Sequence, residues 1–288
     1  MKTDFYSQNR SKFEHFIDEA LEEDLGDGDH SGRACIDSNT NKSAVLLVKE
    51  ECQIAGVALA ASIFKRYDAT IEIEIYRHDG EIVAPSERVF SVKGPAQSLL
   101  ATERLVLNCM QRMSGIATMT YRLCEMIRHT DCILLDTRKT TPNFRYPEKW
   151  AVAIGGGTNH RIGLFDALMI KDNHIDYCGS LGIALQKTRN YLDQLGKELP
   201  VIVETRNVNE VEQVLEFPWI TRILLDNMAP KKIIECIKRI DGRIATEASG
   251  NINTSTIVNY AETGVDYISM GAITHSALPI DLSLKAIS

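Results

Sequence analysis

Residues 136–175 read DTRKTTPNFRYPEKWAVAIGGGTNHRIGLFDALMIKDNHI and hold a concentrated set of groups that could bind and transform a small anion. One apolar run, Ile133-Leu134-Leu135, ends in Asp136, Arg138 and Lys139. A second, Ala167-Leu168-Met169-Ile170, ends in Lys171, Asp172, Asn173 and His174. Between them stand Gly155-Gly156-Gly157 and Asn159-His160-Arg161. The stretch has net charge +2 inside a chain of −7, so the remainder carries −9. Cations gathered at strand ends in an acidic chain select a small anionic ligand over a nucleic-acid surface.

Later apolar runs also end in chemistry: Glu204, then Asp226, then Glu247-Ala248-Ser249-Gly250-Asn251, then Gly271. Each has a bland reading. A Lys or Arg after a strand is ordinarily just solvated. Glu204 and Asp226 could be acids at helix N-termini. His160 could be a satisfied core histidine, Gly155 to Gly157 a flexible loop, and Ser249-Gly250 an ordinary turn. Repetition weighs against these readings, because successive units place a charged or backbone-donor group at the same end. Arg138, Lys139, His160, Arg161 and Lys171 form a cationic half, which calls for a ligand with more than one negative group. Glu204 and Asp226 form an acidic half, suited to magnesium or to sugar hydroxyls. Ser249, Gly250, Asn251 and Gly271 sit where barrels often bind phosphate.

The elements that must position these groups fall into two patterns. Up to about residue 95 strands and helices are mixed, an α+β unit. A helix is expected to start at Ser11, with Ser11 and Glu14 at capping-box spacing, and to end at Gly26. Strands are expected at 44–48, 71–75 and 88–92, and a helix at Val57–Tyr67. Asp27-Gly28-Asp29-His30 is turn chemistry rather than a calcium loop. A helical stretch over 96–128 is expected to break at Ser114-Gly115. On it Arg104, beside Glu103, reads as a surface charge. From residue 130 the rhythm is strand then helix. Strands are expected at 132–137, 167–171, 201–205, 222–226, 243–247 and 266–270, and helices at 208–217, 230–240 and 254–262. This is the rhythm of a parallel barrel or an open sheet.

The totals fit a soluble enzyme: 288 residues, 44% hydrophobic and 25% charged, enough for one or two domains. The acidic balance argues against general nucleic-acid or anionic-membrane binding. Neither a signal-peptide core near the start nor a membrane-length apolar stretch is legible. Seven Cys without Cys-x-x-Cys spacing point to reduced thiols in a cytoplasm.

Three motifs, Thr137-Arg138-Lys139-Thr140-Thr141-Pro142, Gly155-Gly156-Gly157-Thr158-Asn159-His160-Arg161 and Ile170-Lys171-Asp172-Asn173-His174, resemble the quinolinate phosphoribosyltransferase family. Matches also occur at 22–29, 103–108, 114–118, 247–252 and 271–276, so the resemblance covers nearly the whole chain. It implies an α/β fold. An N-terminal α/β sandwich domain at 1–115, rejoined by the tail 276–288, would precede an incomplete, seven-stranded α/β barrel at 116–275. The implied reaction joins quinolinate to phosphoribosyl pyrophosphate, with loss of carbon dioxide and pyrophosphate. Arg138, Lys139, His160, Arg161 and Lys171 would hold quinolinate, and Thr137 would also bind substrate. Glu204 and Asp226 would face the ribose and Mg2+, the ion being held indirectly or through substrate, and Ser249, Gly250, Asn251 and Gly271 would hold phosphate. Lys139, Lys171, Glu204 and Asp226 would carry the catalysis. Arg104 would enter a neighbouring subunit's site in a homodimer; assembly into hexamers is left open. One departure stands out: the family pattern has Gly-Leu-Arg and then a Leu before Glu-Lys, where this chain has Asn143-Phe144-Arg145 and Pro147.

Rival readings remain distinguishable. A sister phosphoribosyltransferase-like protein of molybdenum transport operons shares the TRKTTP-type motif but not the matches outside the barrel. A Schiff-base aldolase would use Lys171 or Lys139 and would be trapped by borohydride. A non-catalytic metabolite-binding protein would have lost Glu204, Asp226 or a basic residue.

Overall fold

Five strands lie in the first third of the chain, β1 Asn41–Val48, β2 Cys52–Gln53, β3 Glu72–Ile75, β4 Ile82–Val83 and β5 Arg88–Pro95, of which β2 and β4 pair only with each other. The structure is a computed structural model and describes residues 5–287. Two units emerge. The first takes in the described residues up to Tyr121, Thr140–Gly156 and those from Ile273 onward; the second takes in Arg122–Lys139 and Gly157–Ala272. Residues 140–156, within the barrel limits drawn from sequence, thus group with the first unit.

In the first unit an antiparallel sheet runs β12-β1-β5-β3, where β12 is Leu282–Ile287 near the chain's end. Leu46 pairs with Leu284 on one side and Phe90 on the other. The inner face is sealed by Leu46, Phe64, Phe90 and Met110, all fully buried. Helix Arg10–Leu25 starts at Arg10, one residue before the expected Ser11, with no side-chain cap. Glu14 pairs with Arg10 at 2.8 Å instead of closing a capping box.

The helix Ala96–Ile127 is continuous through Ser114-Gly115, where a break was expected. Its neighbours explain this. The Ser114 hydroxyl accepts from the Ala55 N–H at 3.0 Å, and the Thr118 hydroxyl accepts from the Gln53 N–H at 3.0 Å. These hydroxyls serve a strand edge that would otherwise bury its donors. A Cβ at Gly115 would stand 2.1 Å from the Leu278 carbonyl oxygen, so glycine is required by close approach of the tail.

The departure at 143–147 is accommodated. Asn143 takes a left-handed conformation, φ 60°, which Asn tolerates better than most residues other than Gly. Pro147 lies in the first turn of helix Arg145–Ile154, where a missing N–H costs no helical hydrogen bond.

In the second unit all strands are parallel: β6 Ile133–Leu135, β7 Leu168–Ile170, β8 Val201–Thr205, β9 Arg222–Asp226, β10 Ala245–Ser249 and β11 Tyr267–Ser269. Their order is β6-β11-β10-β9-β8-β7. This is a six-stranded sheet rather than the expected seven, and among the described residues no ladder closes β6 onto β7. The seventh position is a single bridge, Leu135 to Thr158, because the chain around Thr158 is tied by side chains instead of a ladder. β8, β9 and Pro230–Ile240 fall where the apolar pattern placed them. β10 begins two residues later than expected. Arg243 donates to the carbonyls of Arg239 and Ile240 and so belongs to the preceding helix end.

Candidate active site

Side chains two residues apart on a strand share a face, and directly paired residues on parallel neighbours share it too. Ala167, Ile202 and Leu224 form one buried cluster with Met169, which identifies the inward face of β7, β8 and β9. One step further along that face come Lys171, Glu204 and Asp226. Ser249 pairs with Asp226 across β9 and β10 and so joins them. Four of the sequence candidates therefore line one edge, the C-terminal end of a parallel sheet, by alternation alone.

At the acidic end the Lys171 ammonium lies 3.8 Å from Glu204. Burial raises the Glu204 carboxyl above its usual range, Asp226 raises it further, and Lys171 only partly opposes them. Two carboxylates are pressed together, and one cation does not relieve them. Asp226 accepts a hydrogen bond from Asn227 at 2.6 Å. Among the described residues no group of three or more His, Cys, Asp or Glu could hold a metal. A hard cation here would have to draw its remaining ligands from substrate and water, as magnesium commonly does.

The basic end is built on a buried acid that sequence reading left unassigned. Asp136 is fully buried; it accepts from the His160 N–H at 2.8 Å and from the Asn159 amide at 2.7 Å. This ties the loop after the triple glycine to the end of β6. The His160 Nδ1 accepts the Arg161 N–H at 2.7 Å, and its Nε2 lies 3.3 Å from Glu247. With Nδ1 used as an acceptor, the ring proton is on Nε2. The imidazole, grouped with the cations on sequence, thus acts as a hydrogen-bonding group. The Arg161 guanidinium donates to the Ala167 carbonyl at 3.1 Å. Burial lowers its proton affinity, and the nearby Arg138 guanidinium lowers it further against Asp166.

At the third corner, Gly250 has φ 93°, and a Cβ there would stand 2.3 Å from the Asn227 Oδ1. Asn227 accepts from the Asn251 amide at 2.9 Å, and its N–H donates to the Ser249 carbonyl at 2.8 Å. These bonds lock the ends of β9 and β10 together. Gly271 precedes the short helix Ala272–His275.

Of the remaining candidates, Thr137 accepts the Lys139 N–H at 3.0 Å and forms the turn that carries Lys139, which is exposed. Arg104 is exposed on the long helix of the first unit. Asp136 and Glu247 stand at strand ends in the sequence but carry no assigned role there. Their signal was present, an acid inside or closing an apolar run, but their partners are distant in the chain.

Fold and site together define an enzyme-like α/β protein whose parallel strands deliver a basic pair and an acidic pair to one rim. Comparison with known proteins gives the family. The N-terminal domain of quinolinate phosphoribosyl transferase matches residues 29–114 and its C-terminal domain matches residues 116–285. The chain belongs to the quinolinate phosphoribosyltransferase family. It is 45% identical over 284 residues to the chloroplastic nicotinate-nucleotide pyrophosphorylase [carboxylating] of Oryza sativa subsp. japonica, covering 93% of this chain and 76% of that one. It is 36% identical to the probable nicotinate-nucleotide pyrophosphorylase [carboxylating] of Bacillus subtilis (strain 168), covering 96% and 94%. The crystal structure of NadC from Streptococcus pyogenes superposes with TM-score 0.89 at 35% identity, covering 98% of each chain.

Proposed function

We propose that this chain transfers the phosphoribosyl group of phosphoribosyl pyrophosphate to quinolinate with decarboxylation, giving nicotinate mononucleotide, pyrophosphate and carbon dioxide for NAD biosynthesis. One observation carries the reading. The rim pairs like with like at both ends: Arg138 beside Arg161, and Glu204 beside Asp226. Asp166 offsets the first pair and Lys171 the second only in part, so an opposite ligand would relieve both further. A dicarboxylate relieves the first pair; a cation, or a sugar becoming cationic, relieves the second.

In this reading Arg138, Lys139, Arg161 and Lys171, with Thr137 and the His160 imidazole, hold the two quinolinate carboxylates. Guanidinium forks suit carboxylates, and the ammonium groups act as point charges. The grip aims the ring nitrogen at the anomeric carbon, and positioning of this kind supplies several kcal/mol. Glu204 and Asp226 oppose the positive charge that grows on the ribose as pyrophosphate leaves. Ser249, Gly250, Asn251 and Gly271 receive the ribose phosphate. The acid pair suits Mg2+ shared with substrate oxygens; when bound, the ion would neutralise charge on the departing pyrophosphate.

We also assign Arg104 to the site of a second copy in a homodimer. The residue is exposed and has no hydrogen bond or ion pair within the chain among the described residues. No helix among the described residues is long and apolar enough to cross a membrane. All seven cysteines are free, which fits a reducing compartment such as the cytoplasm; the plant relatives are named chloroplastic or mitochondrial.

The deciding assay supplies phosphoribosyl pyrophosphate with quinolinate or with nicotinate. Nicotinate mononucleotide and carbon dioxide should form from quinolinate; turnover of nicotinate instead would overturn the proposal. Arg104→Ala mixed with Lys139→Ala should recover part of the lost activity, since each hybrid rebuilds one site. No recovery would refute sharing.

A further inference from the structure

Glu247 is fully buried on the inward face of β10, two residues before Ser249. Neither anion binding nor the acidic pair gives it a task. Its Oε2 lies 2.9 Å from an Arg222 guanidinium nitrogen and 3.3 Å from His160 Nε2. Arg222 is itself held, with its guanidinium carbon 3.9 Å from the centre of the Tyr267 ring. Burial pushes the Glu247 carboxyl up, but His160 first, then Ser269 and Arg222, outweigh it and hold the carboxyl below its ordinary range.

An ionised carboxylate can only accept. Its Oε2 faces His160 Nε2 at 3.3 Å, an approach short of hydrogen-bond geometry that still favours a proton on that nitrogen and leaves Nδ1 bare. The bare Nδ1 accepts the Arg161 N–H at 2.7 Å, while Asp136 holds the His160 N–H at 2.8 Å. The peptide between His160 and Arg161 is thereby fixed from two sides. The partner of an imidazole dictates which of its nitrogens carries the proton.

We infer that Glu247 is a positioning residue for the dicarboxylate end of the site: as an acceptor-only partner it sets the tautomer of His160, and through that imidazole it sets the backbone from which Arg161 reaches the ligand. This rests on the reading in which Arg161 grips quinolinate. The competing role is structural: Glu247 would merely neutralise Arg222, and the His160 tautomer would be immaterial to binding.

The test combines Glu247→Gln with 15N spectra of histidine-labelled enzyme at pH 7, the His160 signals being assigned by their loss in His160→Asn. The wild-type spectrum should show a protonated Nε2 and an unprotonated Nδ1. Glu247→Gln keeps the side chain's size but can present an amide N–H to the ring, so a mixture of tautomers should appear. The KM for quinolinate should rise tenfold or more, and the KM for phosphoribosyl pyrophosphate should stay within twofold. A wild-type Nδ1–H or imidazolium at His160 would overturn the inference. So would an unchanged quinolinate KM in folded Glu247→Gln, or equal rises in both KM values with a lowered melting temperature. If Glu247→Gln does not fold, the wild-type spectrum still decides the tautomer. Should the wild-type enzyme fail to turn over quinolinate, the functional reading fails, and the spectrum reports on the lock independently.

Discussion

Glu247 and Glu204 face the same interior from β10 and β8, both withdrawn from water, yet their carboxyls move in opposite directions. Glu247 faces Arg222 at 2.9 Å and His160 at 3.3 Å and stays below its ordinary range despite burial. Glu204 is raised, because burial and Asp226 act together and Lys171 answers only in part. In the first unit Glu148 is a buried acid met by donors. It is fully buried, accepts from Arg112 at 3.0 Å and from the Thr141 hydroxyl at 2.8 Å, and Arg112 also donates to the carbonyls of Thr274 and Ala277. A buried acid ringed by donors is architecture. A buried acid set against another acid awaits a ligand.

The contrast breaks most visibly if Glu148 is truncated. Glu148→Ala leaves Arg112 partly buried without its acid and removes the acceptor for Thr141. It should destabilise the fold by about 3–5 kcal/mol, measured by urea unfolding. A loss below about 1 kcal/mol would show that the ring of donors is not what holds this acid. The rim should behave in the opposite way. Lys171 is exposed, so Lys171→Ala should lower turnover with quinolinate about 100-fold, about 2.7 kcal/mol, while the melting temperature shifts by no more than about 2 °C. A large drop in melting temperature would move Lys171 into the architectural class. Smaller again, Asp226→Asn should bring the Glu204 carboxyl back toward its ordinary range and stabilise the free protein by roughly 0.5 kcal/mol or more, although activity falls. A carboxyl-carbon NMR titration of Glu204 and a thermal melt check both parts; destabilisation would show that the pair is not strained.

What could be read from sequence follows the same division. β8 and β9 were legible because near-continuous apolar runs such as Val201-Ile202-Val203 have one use, a strand covered on both faces. Pro230 at a helix start was legible because its effect is local. Residues whose role is set by a distant partner were not. Ser114-Gly115 looks like a break until the edge at Gln53–Ala55 and the tail at Leu278 are placed against it. Glu247 reads as a strand end when Arg243 is taken as the strand's start; with Arg243 bonded back to the helix, Glu247 falls at the middle of β10. Lys171, Glu204, Asp226 and Ser249 were found together because strand periodicity delivers them to one edge whatever their partners are.

Acidification should separate the two acids in the ligand-free enzyme, and the sign differs for each. The folded state raises Glu204, so it binds the proton more readily than the unfolded chain does. As pH falls through that raised range, stability should rise slightly while affinity for a divalent cation is lost. The folded state depresses Glu247, so the stability it contributes is fully present above the ordinary carboxylate range and is lost only as pH falls through its lower folded value. Two transitions are therefore expected on the way down: first a fall in magnesium affinity, by titration calorimetry, with an unchanged circular dichroism spectrum, and later the loss of the fold. A single coincident transition would mean that the acids are not held in different states and that their opposite surroundings, donors around one and a second carboxylate beside the other, do not control their ionisation.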